Sequence, residues 1–182
     1  MIRLIDIIIS TVGLLILLPL LLIFVLAGCV DTGAPLLRQV RVGRNQKPFV
    51  LVKLRTMRLD ATHVASHLAD TAAITRWGGF LRRSKLDELP QLWNVLKGEM
   101  SLVGPRPCLL SQIELIAERD ALGVFSVPPG ITGLAQINGV DMSNPKYLAQ
   151  VDASMLHDLN IRTYFAYIIK TVLGAGRGDQ IR

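Results

Sequence analysis

The stretch TRWGGFLRRSKLDELPQLWNVLKGEMSLVGPRPC, residues 75–108, decides how the chain is read. Leu89, Leu92, Trp93 and Leu96 recur at helical spacing, and Gly98 stands where a helix C-cap belongs. Proline is tolerated in a first helical turn, so Pro90 places the start of this helix near Leu86 to Leu89. Asp87 and Glu88 then fall at the N-terminus. Unpaired N–H groups and the positive end of the helix dipole favour ionised carboxylates there, the state a nucleophile or metal ligand needs rather than a proton donor. Arg82, Arg83 and Lys85 reinforce that field. Neighbouring helical residues project about 100° apart, so the two acids have separate roles and do not bracket one bond as a glycosidase pair does. Acidic residues at helix starts also serve as plain caps, and the local pattern alone leaves that open.

Downstream, Gly104-Pro105-Arg106-Pro107 holds an arginine between two prolines, a rigid turn that would present a planar guanidinium to an oxyanion at low entropic cost. A structural surface turn is the alternative. Upstream, FVLVK at 49–53 predicts a short strand, and Ala61 to Ala73 predicts a short helix or loop. His63 and His67 lie four apart within it, which suits either a metal pair or a solvated helix face. No Glu adjoins His63 and no third ligand stands out.

Towards the N-terminus, Val12 to Val30 reads VGLLILLPLLLIFVLAGCV without a charge, and apolar character reaches back to Leu4. A bilayer core about 30 Å thick takes roughly 20 apolar residues, so the segment is long enough to span. Pro19, preceded by Leu18, interrupts it at mid-length and opens a second possibility, a re-entrant hairpin of two half-helices. Leu26-Ala27-Gly28-Cys29 also matches a lipoprotein processing box, but Arg3 is the only basic residue before it and Asp6 follows closely. Arg38, Arg41, Arg44 and Lys47 flank the apolar run on its far side, which keeps the body in the cytoplasm by the positive-inside rule. Two unpaired thiols, Cys29 and Cys108, agree with that compartment.

The composition fits a membrane-associated protein: hydrophobic residues are 51% of the 182 and charged ones 19%, too apolar for disorder. A net charge of +6 with only 5% aromatics favours an anionic surface or phosphate-bearing small molecules over nucleic acid. Tyr147 to Leu159 and Asn160 to Leu173 look amphipathic. The latter is too short to span and suits either the membrane interface or the core. Arg177-Gly178-Asp179 reads as a polar tail.

Taken together, KLRTM at 53–57, LRRSKLDELPQLWNVLKGEMSLVGPRP at 81–107 and PGITGLAQING at 129–139 closely resemble the bacterial sugar transferases called small monotopic phosphoglycosyl transferases. The resemblance covers almost the whole chain, including the proline-interrupted N-terminus, and is to a minimal catalytic-domain member without the extra transmembrane helices of larger relatives. It implies an α/β-associated, mostly helical fold: a re-entrant membrane helix-hairpin over 1–30, broken at Leu18-Pro19, and a compact cytoplasmic catalytic domain over 31–182 with interfacial amphipathic helices. It implies transfer of a sugar-1-phosphate from a UDP-sugar to undecaprenyl phosphate, with release of UMP, at the cytoplasmic face of the bacterial inner membrane. This would initiate O-antigen, capsule or related glycan assembly. By motif position Asp87 would be the nucleophile carrying a covalent phosphosugar, with Glu88 its partner. Mg²⁺ would be required, with Asp87 as its protein ligand, because a diphosphate resists an anionic attacker until its charge is neutralised. Arg82, Arg106, Lys53 and Arg55 are the expected phosphate contacts. Thr132, Gln136 and Asn138 would line a nucleotide loop hinged at Gly130, Gly133 and Gly139.

Three positions depart from the family pattern. Leu18 stands where a serine often precedes the proline, Lys85 where a small hydroxyl residue commonly precedes Leu-Asp-Glu, and Pro128 where a basic residue often precedes Pro-Gly. Two other classes remain to be weighed. A glycosyltransferase would often hold its metal with Asp-x-Asp, which does not occur in the sequence, and a membrane-anchored scaffold would leave Asp87, Glu88 and Arg106 without work.

Overall fold

The computed structural model describes residues 1–61 and 71–176. His63, His67 and the Arg177-Gly178-Asp179 triplet lie outside the described residues.

The apolar N-terminus forms one helix, α1 (Ile2–Thr32), with Pro19 inside it. Gly33 closes it in the left-handed region at φ 74°, where its N–H donates to the Cys29 carbonyl. The expected division into two half-helices at Leu18-Pro19 is therefore not seen as an interruption of the element. Packing on both sides of the proline offsets the hydrogen bond it removes. Before it, a Cβ on Gly13 would sit 3.4 Å from Leu92; after it, Phe24 is buried with Leu54 and Leu81 and meets Trp77 edge-on at 5.7 Å.

Both ends of α1 are bonded to the same body. Arg3 donates to the Val95 and Leu96 carbonyls at 2.5 and 2.9 Å, and Thr75 donates to Asp31 at 2.6 Å. Asp6, which in sequence merely interrupts an apolar run, is buried and accepts from Ser101 Oγ, the Leu102 N–H and Tyr164 Oη. Leu4, Ile8, Val12, Leu15, Leu22 and Leu26 form an exposed apolar stripe along the opposite side.

The chain then makes an antiparallel hairpin, β1 (Leu36–Val42) and β2 (Pro48–Leu54), paired Arg41 to Phe49 and Leu37 to Lys53. Period two puts Lys53 on the same face as the buried Phe49 and Leu51, and cross-strand pairing puts Arg41 there too. Helix α2 (Arg76–Ser84) follows, capped by Thr75, whose hydroxyl accepts from the Gly78 N–H.

The helix expected from Leu86 to Leu89 begins later. Lys85 takes a left-handed conformation at φ 57° and ends α2, Leu86–Glu88 form a single 3₁₀ turn, and α3 runs Gln91–Lys97 behind Pro90. The reason is local: the left-handed residue turns the chain away from the α2 axis, and one tight turn realigns it before α3 begins. Gly98 caps α3 at φ 84°, as its position predicts.

Strand β3 (Ser101–Val103) pairs in parallel with β4 (Gly130–Thr132), with α4 (Ile113–Ala121) in the crossover. Three short helices complete the body: α5 (Leu134–Ile137), α6 (Pro145–His157) and α7 (Ile161–Val172). Among the described residues the fold is mostly helical, as expected, with two two-stranded sheets. Helix α7 buries Tyr164 and Tyr167 and leaves Ile161, Phe165, Ile169 and Val172 outward, so it is both a core helix and the bearer of an exposed apolar edge.

Candidate active site

Asp87 lies in the 3₁₀ turn between two helices and is buried at 7% exposure. Lys53 from β2, Arg82 from α2 and Arg106 from the loop after β3 act on it electrostatically. Helix-terminus chemistry suggests an easily ionised carboxylate, and the structure corrects this. Burial raises the Asp87 pKa, opposed first by Lys53, then by Arg82 and Arg106, and only last by its backbone hydrogen bond. The ammonium of Lys53 is pushed down by desolvation, with Asp87 holding it up and Arg41, Arg82 and Arg106 adding to the push. A carboxylate and several cations thus share a poorly solvated space.

Each cation is aimed by its element. Arg82 Nε donates to Thr56 Oγ1 at 2.8 Å, fixing α2 against the end of β2. Arg106 pairs with Glu88 at 3.7 Å, so the second acid of the motif faces the arginine of the proline-flanked turn. That turn is held from below. Arg119 donates to the Arg106 carbonyl at 2.8 Å while its other guanidinium nitrogens grip Asp152 at 2.7 and 3.0 Å, and both side chains are buried. The turn is held from the side by Arg41, which donates to the Pro107 carbonyl at 3.2 Å.

Not every expected site residue joins this cluster. Arg55 donates to the Ala34 and Leu36 carbonyls, tying down the segment that leaves α1. Thr132 is buried and bonded to Thr171 at 2.5 Å, Gln136 donates to the Gly104 carbonyl at 3.3 Å, and Asn138 is the C-cap of α5. Thr132 and Gln136 thus fasten α7 and α5 to the scaffold beneath the arginine turn. Two of the glycines expected as hinges serve close packing instead. A Cβ on Gly130 would sit 2.0 Å from Gly104 N, and one on Gly133 would sit 2.6 Å from Gly104 O. Gly139 has open space and φ 68°.

Sequence reasoning passed over Asp6, Arg119 and Asp152 as functional supports. The available signal was charge in otherwise apolar or amphipathic helices, since a charge kept in such a place is normally paired. Among the described residues, no three His, Cys, Asp or Glu side chains gather as potential metal ligands. Carboxylates such as those of Asp87 and Glu88 are the ligand type that Mg²⁺ takes, one or two at a time, with substrate phosphates and water completing its shell.

Residues 1–177 match the family described as bacterial sugar transferase. The chain belongs to that family. Among similar proteins, a UDP-glucose:undecaprenyl-phosphate glucose-1-phosphate transferase of Caulobacter vibrioides is 37% identical over 87% of this chain and 66% of its own length. A UDP-galactose-lipid carrier transferase of Erwinia amylovora is 35% identical over 86% of this chain and 36% of its own. An uncharacterized sugar transferase of Bacillus subtilis, EpsL, is 48% identical over 59% of this chain and 53% of its own. The chain thus spans less than two thirds of these relatives.

Proposed function

We propose that the chain transfers a sugar-1-phosphate from a UDP-sugar to undecaprenyl phosphate through a covalent intermediate on Asp87. The observation that carries this is the buried Asp87 carboxylate, held at a cost in solvation among Lys53, Arg82 and Arg106. A fold without need of that charge would have little reason to keep it there.

An Asp87 carboxylate oxygen attacks the sugar-bearing phosphorus, the bond from that phosphorus to the bridging oxygen breaks, and UMP leaves with the electron pair. A phosphate oxygen of undecaprenyl phosphate then attacks the same phosphorus and breaks its bond to Asp87. The carboxylate is regenerated and the product is undecaprenyl diphosphosugar. Lys53, Arg82 and Arg106 hold the diphosphate and stabilise charge on the equatorial oxygens. Glu88 orients Arg106 through their ion pair. Mg²⁺, held by Asp87 with Glu88 beside it, would supply further neutralisation of the diphosphate when bound.

Helix α1 is the membrane-facing element in this reading. Its two ends are bonded to one body and its exposed apolar stripe faces away, which supports a helix lying against one leaflet rather than one that spans. Processing before Cys29 would remove the buried Asp6 and Phe24, which argues against the lipoprotein alternative.

The test uses UDP-sugars labelled in the sugar, incubated with undecaprenyl phosphate and Mg²⁺. Label in the lipid phase with stoichiometric UMP is the expected result. UDP release would point to a glycosyltransferase, and absence of turnover across UDP-glucose, UDP-galactose and their N-acetylated counterparts would favour a scaffold.

A further inference from the structure

Lys85 differs from the rest of the cationic cluster. It ends α2 in a left-handed backbone conformation, and its Nζ donates to the Ala175 carbonyl at 2.7 Å, ninety residues along the chain. Glu88 and Arg106 are its charged neighbours, and desolvation is the main influence that lowers its pKa.

Ala175 belongs to the turn that closes α7, where its N–H donates to the Lys170 carbonyl and the Gly174 N–H to that of Thr171. The next residue, Gly176, lies so close to α5 that a Cβ on it would sit 2.0 Å from the Gln136 carbonyl oxygen. Gln136 in turn donates to the Gly104 carbonyl, two residues before Arg106. A closed ring of contacts results: Lys85 to Ala175, Gly176 to Gln136, Gln136 to Gly104, and Arg106 back to Glu88. The ring joins the turn that carries Asp87 to the turn that carries Arg106.

We propose that Lys85 is a positioning residue, which clamps the turn after α7 onto α5 and so fixes the Arg106 turn relative to Asp87. The consequence for the reaction rests on the proposed function. Lys85 need not touch substrate; it acts through Ala175, Gln136 and Gly104.

Two variants test the clamp independently. Lys85→Met keeps the length of the side chain and loses the charged donor, while Gly176→Ala forces a Cβ against the Gln136 carbonyl. The expected effect is roughly a tenfold fall in kcat/KM for UMP release from UDP-glucose, or from whichever UDP-sugar of the panel turns over, consistent with the loss of one charge-assisted hydrogen bond. The double variant is expected to be little worse than either single, because both open one ring. Lys85→Arg should recover part of the loss.

Hydrogen exchange on the full chain in detergent supplies a readout that does not need turnover. In Lys85→Met, amides of 134–139 and 173–176 should lose protection while those of α4 and α6 keep theirs. Unchanged protection at both segments, or effects of the two variants that multiply, would overturn the clamp. Lost protection in a protein whose wild type releases no UMP would uphold the clamp and reject the proposed reaction instead.

Discussion

Replacing Arg119 by methionine isolates the support beneath the arginine turn. Arg119 and Asp152 are buried at 1% and 0% exposure, and both guanidinium bonds from Arg119 fall on the same oxygen, Asp152 Oδ2. The other oxygen, Oδ1, is buried and has no hydrogen-bond partner among the described residues. The arginine is therefore the only partner seen for this carboxylate there, and its loss leaves a bare buried anion. Breaking such a pair costs about 3 to 5 kcal/mol. At this chain length each kcal/mol lowers Tm by about 2 to 4 °C, so Arg119→Met should melt about 6 to 20 °C below wild type.

The loss should also depend on pH. Burial already raises the Asp152 pKa, and Arg119 is what opposes it. Without the arginine the folded-state pKa rises further above its unfolded value, so the cost is present at pH above the folded pKa and fades as the pH falls and the acid takes a proton. Pairing Arg119→Met with Asp152→Leu removes the bare charge and should restore most of the melting temperature. Turnover per folded molecule should stay low, because the hydrogen bond to the Arg106 carbonyl is still missing. Scanning fluorimetry in detergent from pH 5 to 8, with activity on the same samples, measures both. A single variant melting within about 2 °C of wild type, or a double variant no more stable than the single, would refute the reasoning.

Asp87→Asn should lose turnover yet melt higher than wild type at pH above the folded Asp87 pKa, since the raised pKa means that the ionised carboxylate costs stability there; the gain should shrink on acidification, and equal Tm values across pH would contradict the raised pKa. For the same reason wild-type turnover should fall as pH drops through the Asp87 pKa, read from a kcat profile. Arg106→Lys keeps charge but loses the planar fork, and the expected penalty is about 1.5 to 3 kcal/mol, roughly 10- to 100-fold in rate with Tm little changed; a drop in Tm with normal turnover per folded molecule would make Arg106 structural. Single cysteines placed near Met1 and near Gly33, in a Cys29→Ser background, should both react with a membrane-impermeant thiol reagent only from the cytoplasmic side, and labelling of one from each side would mean a spanning helix.

Features under short-range control can be read from the order of residues alone. The strand over FVLVK follows from its β-branched and aromatic residues and the end of α3 from Gly98, while the mostly helical class came with the family resemblance. The site motif was legible as well, because Asp87, Glu88, Arg82 and Arg106 fall within one continuous stretch whose spacing carries the family resemblance. Tertiary structure decided whatever depends on contacts between distant segments. It left Pro19 inside one helix by packing both of its flanks on the body, and it turned Asp6 from an interruption into a buried anchor for Ser101 and Tyr164. It drew Arg55 and Thr132 into scaffolding and set Arg119 on Asp152 beneath Arg106. It also reversed the expected electrostatics of Asp87: the helix-end field that favours a carboxylate is a local property, whereas the desolvation that outweighs it arises only when β2, α2 and the loop after β3 close around the same point.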